Sequence, residues 1–229
     1  MSAEPTRVAA FFDLDRTLIR GSANYPLAIA AFRFGLVPWR ELISDTVNAV
    51  RFQRHGSTDD GSAALRERIL RAVKGLRQSE IIHLGDAVTP RLVGRLIPES
   101  AQLLAEHQSR GEDRVVVSAS PIEIVGRFAT ALGLEGAVAT RGELDEEGRY
   151  TGRLTGEFCY AKGKVVEIEK LAAERGYDLA RCYAYSDSVS DLPMLERVGH
   201  PVVVNPDREL RALAAERGWP VVEAARKRP

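Results

Sequence analysis

Two pairs of aspartates follow apolar runs of the sequence and have the chemistry of a cation site. Asp13 and Asp15 stand at the end of one run, and Asp187 and Asp191 lie just beyond another. Side chains of a strand alternate between its faces, so Asp13 and Asp15 are expected to point the same way. Neighbouring carboxylates repel each other unless a cation lies between them or one is protonated, and their hard oxygens suit Mg²⁺. One such pair alone is more often a turn or a helix cap, but two pairs indicate a site.

A hydroxyl and a lysine complete the set of candidate groups. Ser118 follows a run of three valines, and Lys162 and Lys164 lie at the start of a helical pattern. Ser120 has two interpretations: a second polar group at the same strand end, or the N-cap of a helix with Pro121 at its first position. Polar groups that each stand at a strand end or a helix start are typical of an active site.

An alternation of strands and helices predicts how these groups come together. Short apolar runs indicate strands, and the helical patterns between them each end at a glycine, as expected for a left-handed cap. The strands are predicted at residues 8–13, 114–119, 136–140, 182–187, 201–205 and 219–223, the helices at 100–110, 121–132, 164–175 and 207–217, and a hairpin at 143–155. This order is typical of an α/β fold with a doubly wound, mostly parallel sheet, which binds its ligand at the carboxyl edge.

One long segment interrupts the alternation. Residues 21–97 contain helical patterns, at 26–34, 39–54, 62–73 and 79–96, and no convincing strand. We expect these residues to form a small all-helical cap domain inserted after the first strand, above the carboxyl edge of the sheet. The catalytic core is then predicted to comprise residues 6–20 and 98–229.

Composition excludes several classes of protein. The chain of 229 residues has 32 basic and 32 acidic side chains, so it offers no bulk attraction to nucleic acid or to an anionic membrane. Its apolar runs are far too short to span a bilayer, and its start does not resemble a signal peptide. Two cysteines cannot build a disulfide framework, and single histidines such as His107 are expected at the surface or in turns. These observations predict a cytoplasmic protein that binds no nucleic acid, and they leave the oligomeric state open.

The order of motifs resembles the haloacid dehalogenase superfamily of phosphohydrolases. These motifs are Asp13-x-Asp15, Ser118, a lysine and Asp187-x-x-x-Asp191. Within that superfamily, the helical insertion is similar to the phosphoserine-phosphatase-like branch of subfamily IB, which carries a cap of the C1 type. The stretches 176–187 and 199–207 look like actinobacterial members of this branch. The resemblance implies a Mg²⁺-dependent phosphomonoester hydrolase that works through an aspartyl-phosphate.

The resemblance also implies a role for each matching residue. Asp13 attacks phosphorus, and Asp15 protonates the leaving alkoxide and then deprotonates water. Ser118 binds a phosphoryl oxygen. The Mg²⁺ ligands are the Asp13 carboxylate, the Asp15 backbone carbonyl and Asp187, and Asp191 supports the ion by orienting its ligands or through water.

Two lysines compete for the role of neutralising the transferring phosphoryl group. Lys162, followed by Gly163, matches the common wording of the family's motif. Lys164 lies 23 residues before Asp187, the separation expected for this branch, and it opens the helical run. We favour Lys164.

The residues that would select the substrate match only in part. Ser22, nine residues after Asp13, stands where phosphoserine phosphatases carry the glutamate that binds the substrate ammonium. Arg68 matches the cap arginine that binds the substrate carboxylate, and Gly61 replaces the aromatic that closes over it. Ser120 is a further candidate for substrate binding, and Arg16 either contacts substrate or faces solvent.

Phosphoserine is therefore the nearest candidate substrate. The alternatives are another small ester, namely histidinol phosphate or a sugar or lipid head-group phosphate, and phosphoryl transfer between small molecules. A further alternative, of another class, is an inactive phosphate-binding scaffold; the intact acids count against it.

Overall fold

A six-stranded parallel sheet forms the centre of the molecule in the computed structural model, which describes residues 7–36, 66–67 and 69–225. The strands are β1 (Ala9–Asp13), β2 (Asp113–Pro121), β3 (Gly136–Thr140), β4 (Gly142–Leu144), β5 (Tyr150–Leu154), β6 (Tyr183–Ser186), β7 (His200–Val204) and β8 (Val221–Val222). The sheet has the order β3-β2-β1-β6-β7-β8, and every neighbouring pair is parallel. β4 and β5 pair separately as the expected antiparallel hairpin.

Helices cover both faces of this sheet. They are α1 (Asn24–Arg33), α2 (Gln78–Val93), α3 (Pro98–Ser109), α4 (Ile122–Ala131), α5 (Lys162–Arg175), α6 (Leu192–Arg197) and α7 (Arg208–Arg217), and residues 69–73 are also helical. Phe12 of β1 packs in one apolar layer with α1 to α4, whereas Phe11 packs in the opposite layer with α5 to α7. The predicted doubly wound α/β fold is confirmed. No helix among the described residues combines the length and the apolarity needed to cross a membrane.

The strand register brings the candidate residues to one edge. Asp13 ends β1 opposite Val117 of β2, and Phe12 lies opposite Tyr185 of β6. Because parallel strands end on the same side, the segments that follow Asp13, Val117 and Tyr185 meet at the carboxyl edge.

One helix start differs from its prediction. β2 continues to Pro121, and α4 begins at Ile122 with Pro121 as its N-cap and no side-chain hydrogen bond to the cap. The interpretation of Ser120 as the N-cap is therefore wrong. Ser120 is part of the strand because β2 is three residues longer than the apolar run suggested.

Helix α2 of the inserted segment packs closely along α4 of the sheet layer. A Cβ atom added to Gly85 in α2 would lie 2.9 Å from the carbonyl oxygen of Glu123 and 2.8 Å from Cδ of Arg127. Glycine thus permits the two helix backbones to approach. The predicted helix at 39–54 lies outside the described residues.

Candidate active site

A buried lysine joins two of the predicted acids. Nζ of Lys164 lies 2.6 Å from Oδ1 of Asp13 and 2.7 Å from Oδ2 of Asp191, and only 2% of Lys164 is exposed. Burial alone would lower the pKa of this ammonium, but the two carboxylates raise it above its ordinary value, so Lys164 stays charged. Lys162 is exposed. The geometry therefore favours Lys164 over Lys162 as the lysine of the site.

The loop before α5 fixes where Lys164 lies. A Cβ atom on Gly163 would lie 1.9 Å from the carbonyl oxygen of Phe158, a distance that no side chain tolerates. Ala161, the N-cap residue, has a positive φ of 48°. Glycine at 163 is thus required so that the loop can cross the first turn of α5, which carries Lys164.

The start of α1 holds Asp15 by both carboxylate oxygens. The hydroxyl of Ser22 donates to Oδ2 at 2.6 Å, and the backbone N–H of Ala23 donates to Oδ1 at 2.8 Å. The N–H of Asn24 in turn donates to the Ser22 hydroxyl at 3.1 Å. Burial raises the pKa of Asp15, and the hydrogen bond from Ser22 opposes this rise. Ser22, a predicted substrate ligand, is therefore hydrogen-bonded to Asp15, the predicted general acid and base.

A short turn after β6 carries the second acid pair. Oδ2 of Asp191 accepts from the Ser186 hydroxyl at 2.7 Å as well as from Lys164. The N–H of Asp207 donates to the Asp187 carbonyl oxygen at 2.7 Å, and Oδ2 of Asp207 accepts the N–H of Val189 at 3.0 Å. The sequence assigned Asp207 no role of its own; its signals were its place at the start of the predicted helix 207–217 and at the end of the stretch 199–207.

Arg16 contacts the predicted metal ligand Asp187. Its Nε lies 2.8 Å from Oδ2 of Asp187, with about half of the arginine side chain exposed and the aspartate buried. Arg16 has a φ of +59°, and its N–H donates to the Gly21 carbonyl oxygen at 2.9 Å. Arg16 thus pairs with a site acid and is half exposed to solvent, and its contact with substrate stays a prediction.

The remaining predicted residues belong to β2 and to the inserted segment. Ser118 and Ser120 are buried at the carboxyl end of β2, and the N–H of Ser120 donates to the Ser118 hydroxyl at 3.2 Å. Arg68 and Gly61 lie outside the described residues.

The electrostatics of the site suit a divalent cation. Burial, then repulsion by Asp191 and Asp15, raises the pKa of Asp13 to about 7 against the attraction of Lys164. Burial and the Asp13 charge likewise raise the pKa of Asp187 to about 8, although Arg16 lowers it. The positive charge around these two buried acids is too small to keep their pKa values in the ordinary range. Within the described residues no three side chains of histidine, cysteine, aspartate or glutamate form a metal cluster. Two carboxylates and a carbonyl nevertheless suit Mg²⁺, which usually keeps several waters.

Comparisons with known proteins agree with this geometry. The family model of haloacid dehalogenase-like hydrolases matches residues 10–196. A probable phosphatase of Mycobacterium tuberculosis is 43% identical over 230 residues, which cover 98% of this chain and 78% of the relative. A phosphoserine phosphatase of the same species is 36% identical over 217 residues, covering 93% and 70%. A histidinol-phosphatase of Neisseria meningitidis is 30% identical over 216 residues, covering 93% and 97%.

Solved structures show the same fold. A Bordetella pertussis protein of unknown function superposes with a TM-score of 0.81 at 29% identity, covering 95% of this chain and 99% of that one. A phosphoserine phosphatase with an analogue of its phospho-aspartyl intermediate has a TM-score of 0.66 at 21% identity, covering 97% and 95%. Together with the family model and the relatives, these likenesses establish that the chain belongs to the haloacid dehalogenase-like hydrolases and is a phosphatase.

Proposed function

We propose that this phosphatase hydrolyses phosphate monoesters of small metabolites through an aspartyl-phosphate on Asp13, with Mg²⁺ as its cofactor. The observation that carries this proposal is the ammonium of Lys164, which lies between Asp13 and Asp191 at the carboxyl edge. The cation is held where a phosphoryl group attacked by Asp13 would gain negative charge.

The two steps of the reaction use Asp13 and Asp15. An oxygen of Asp13 forms a bond to phosphorus while the bond from phosphorus to the ester oxygen breaks, and Asp15 gives its proton to that oxygen. Asp15 then takes a proton from water, whose oxygen bonds to phosphorus as the phosphorus–Asp13 bond breaks. Oδ1 of Asp13 is the oxygen that Lys164 holds, which leaves Oδ2 to attack. Ser118 would donate to a phosphoryl oxygen.

The metal would be held by the Asp13 and Asp187 carboxylates and by the Asp15 carbonyl. When bound, Mg²⁺ supplies positive charge that polarises the phosphoryl group. Asp191, whose Oδ2 already accepts from Lys164 and Ser186, supports the set by holding the lysine.

Phosphoserine is the first candidate substrate and histidinol phosphate is the second. Relatives that cover more than nine-tenths of this chain carry the names of the two corresponding phosphatases. Both esters bear an amino group, which Ser22 cannot bind as a carboxylate would, because it is neutral and its hydroxyl donates to Asp15.

We further propose that residues 21–97 form a helical cap over a core of residues 6–20 and 98–229. Two observations support this division: the residues that hold Asp15 directly precede α1, and α2 packs on α4. The cap would exclude bulk water from the aspartyl-phosphate and contact the leaving group.

The test is phosphate release by the purified protein. Phosphoserine, histidinol phosphate and p-nitrophenyl phosphate are supplied with Mg²⁺ or with EDTA, and Asp13→Asn is assayed in parallel. We expect phosphate release that needs both Mg²⁺ and Asp13. The ester that is hydrolysed fastest identifies the preferred substrate. Release by Asp13→Asn at the wild-type rate would refute the aspartyl-phosphate, and undiminished release in EDTA would refute the cofactor.

A cytoplasmic location remains part of the proposal. Cys159 and Cys182 are both buried and unpaired, as expected in a reducing compartment. Fractionation of cells that produce the protein would test this location.

A further inference from the structure

Asp207 makes hydrogen bonds to two separate parts of the carboxyl edge. Its N–H donates to the carbonyl oxygen of Asp187 at 2.7 Å. Its Oδ2 accepts the N–H of Val189 at 3.0 Å, and its Oδ1 accepts the N–H of Leu210 at 2.8 Å. One residue therefore ties the turn after β6 to the first turn of α7.

That turn carries two acids of the site within five residues. Asp187 and Asp191 are 3% and 2% exposed, and between them runs the 3-10 turn Val189–Asp191. Within the turn the N–H of Asp191 donates to the Ser188 carbonyl oxygen at 3.0 Å, and the N–H groups of Ser188 and Ser190 donate to the Ser186 and Ser188 hydroxyls. The carbonyl of Asp187 and the N–H of Val189, at the start of the turn, are instead bonded to Asp207 from outside it.

The backbone before Asp207 is shaped to supply this anchor. Asn205 has a φ of +47°, its N–H donates to the Val222 carbonyl oxygen at 2.9 Å, and its Oδ1 accepts the N–H of Ala224 at 2.7 Å. Residues other than glycine adopt this left-handed conformation at a cost, which is smaller for asparagine than for most. The chain accepts that cost in the two-residue approach to Asp207.

A role as a simple helix cap does not account for these contacts. Capping α7 uses one carboxylate oxygen, on Leu210, as in many helices. The second oxygen and the backbone N–H both go to the turn after β6 instead. We propose that Asp207 is a positioning residue for the metal site, which sets Asp187 and Asp191 in place through their turn.

The two roles are separable because asparagine caps helices as well as aspartate does. Asp207→Asn keeps one acceptor oxygen for α7 but has no second oxygen for the Val189 N–H. Asp207→Ala loses both acceptors. Asp145 provides a matched control, since its Oδ1 accepts the N–H groups of Glu147 and Arg149 at 3.1 and 2.8 Å in the exposed hairpin turn.

The experiment measures Mg²⁺ affinity by titration calorimetry and unfolding by heat, neither of which needs a substrate. We expect Asp207→Asn to weaken Mg²⁺ binding about tenfold, in the range of 10–100-fold found for residues that orient metal ligands. Its melting temperature should stay within a few degrees of the wild type. Asp145→Ala should lower the melting temperature without changing the Mg²⁺ affinity. In turnover, kcat of Asp207→Asn should return towards the wild-type value at saturating Mg²⁺.

Two outcomes separate this inference from the proposed function on which it rests. Wild-type Mg²⁺ affinity in both Asp207 variants would overturn the positioning role alone. A wild-type protein that binds no Mg²⁺ would overturn the proposed cofactor, and this inference with it. A loss of affinity in Asp145→Ala as large as in Asp207→Asn would also overturn the role, because general destabilisation would then explain it.

Discussion

Replacing Lys164 by methionine should destabilise the protein strongly, whereas replacing Lys162 should not. Methionine keeps most of the side-chain volume but leaves Asp13 and Asp191, 2.6 and 2.7 Å from the lost ammonium, buried without their cation. Breaking a buried ion pair in this way costs roughly 3–5 kcal/mol. For a chain of this size, that corresponds to a fall in melting temperature of roughly 6–20 °C. Lys162 is exposed in the same helical turn and is the matched control.

The loss of stability caused by Lys164→Met should become smaller as the pH falls. Burial and neighbouring acids already raise the pKa of Asp13 to about 7, and loss of the lysine raises it further. A carboxyl whose pKa is higher in the folded state binds more protons when folded, so stability is gained on acidification and lost as the pH rises. Urea unfolding of the wild type and both variants at pH 5 and pH 8, in EDTA, measures this difference.

The same variants decide which lysine acts in phosphate release. We expect Lys164→Met to lose release by a factor of at least about 100, the scale found for removal of one preorganised charge-stabilising group, and Lys162→Met to keep it. Adding Asp191→Asn to Lys164→Met should restore part of the stability but none of the release. The reasoning is refuted if Lys164→Met unfolds within about 1 kcal/mol of Lys162→Met at pH 8, or if Lys162→Met is the variant that loses release.

Three further predictions concern the buried acids, the loop before α5 and Ser22. In EDTA the free energy of unfolding should fall as the pH rises from about 4 to about 8, because folding raises the pKa of Asp13 and Asp187 from 3.8 to about 7 and about 8; saturating Mg²⁺ should remove most of that fall in urea unfolding. Gly163→Ala should lose phosphate release and unfold at a much lower temperature, because its Cβ would meet a carbonyl oxygen at 1.9 Å. Ser22→Ala should lower kcat about tenfold or more with little change in KM, since the Asp15 carboxylate loses a 2.6 Å hydrogen bond worth roughly 1.5–3 kcal/mol.

Each of these three predictions has a control variant or a result that would contradict it. Asp187→Asn should flatten the pH profile in EDTA, and a flat wild-type profile would contradict the raised pKa values. Gly126→Ala adds a methyl group to α4 with nothing within 4 Å and should be tolerated. Ser22→Thr keeps a hydroxyl, so a tenfold loss there equal to that of Ser22→Ala would count against the hydrogen bond.

The sheet was predictable because local patterns determine it. Apolar runs and glycine caps place all six strands of the parallel sheet within two residues of their ends, and Gly136–Thr140 at both ends. The last strand is only Val221–Val222 instead of residues 219–223, because an edge strand pairs on one side for as long as its neighbour allows. The six-residue helix Leu192–Arg197 was missed, since it is too short to show a helical period.

Side-chain partners were not predictable from the same patterns. His107 was expected at the surface but is fully buried, with Nε2 2.7 Å from the Tyr185 hydroxyl and Nδ1 2.5 Å from Glu112. The partner on β6 is 78 positions away in sequence. Ser22 illustrates the same limit, since the motif marks its position and only the fold shows that its hydroxyl meets Asp15.

Residues with a strained backbone lie near site residues that the motifs predicted and also near Asp207, which they did not predict. Three non-glycine residues among those described have a positive φ, namely Arg16, Ala161 and Asn205, and all three lie at the carboxyl edge. Arg16 follows Asp15, Ala161 begins the turn that carries Lys164, and Asn205 leads into Asp207. Glycine would be cheaper at each position. Two side chains are therefore retained for their contacts: Arg16 for its ion pair with Asp187 and Asn205 for its bond to Ala224. Nothing in the structure explains the methyl group of Ala161.

Strained residues cluster at functional sites, where many surrounding contacts together fix their conformation. At the carboxyl edge, therefore, the spacing of the motifs predicts the site residues better than the local conformational propensity of each residue does.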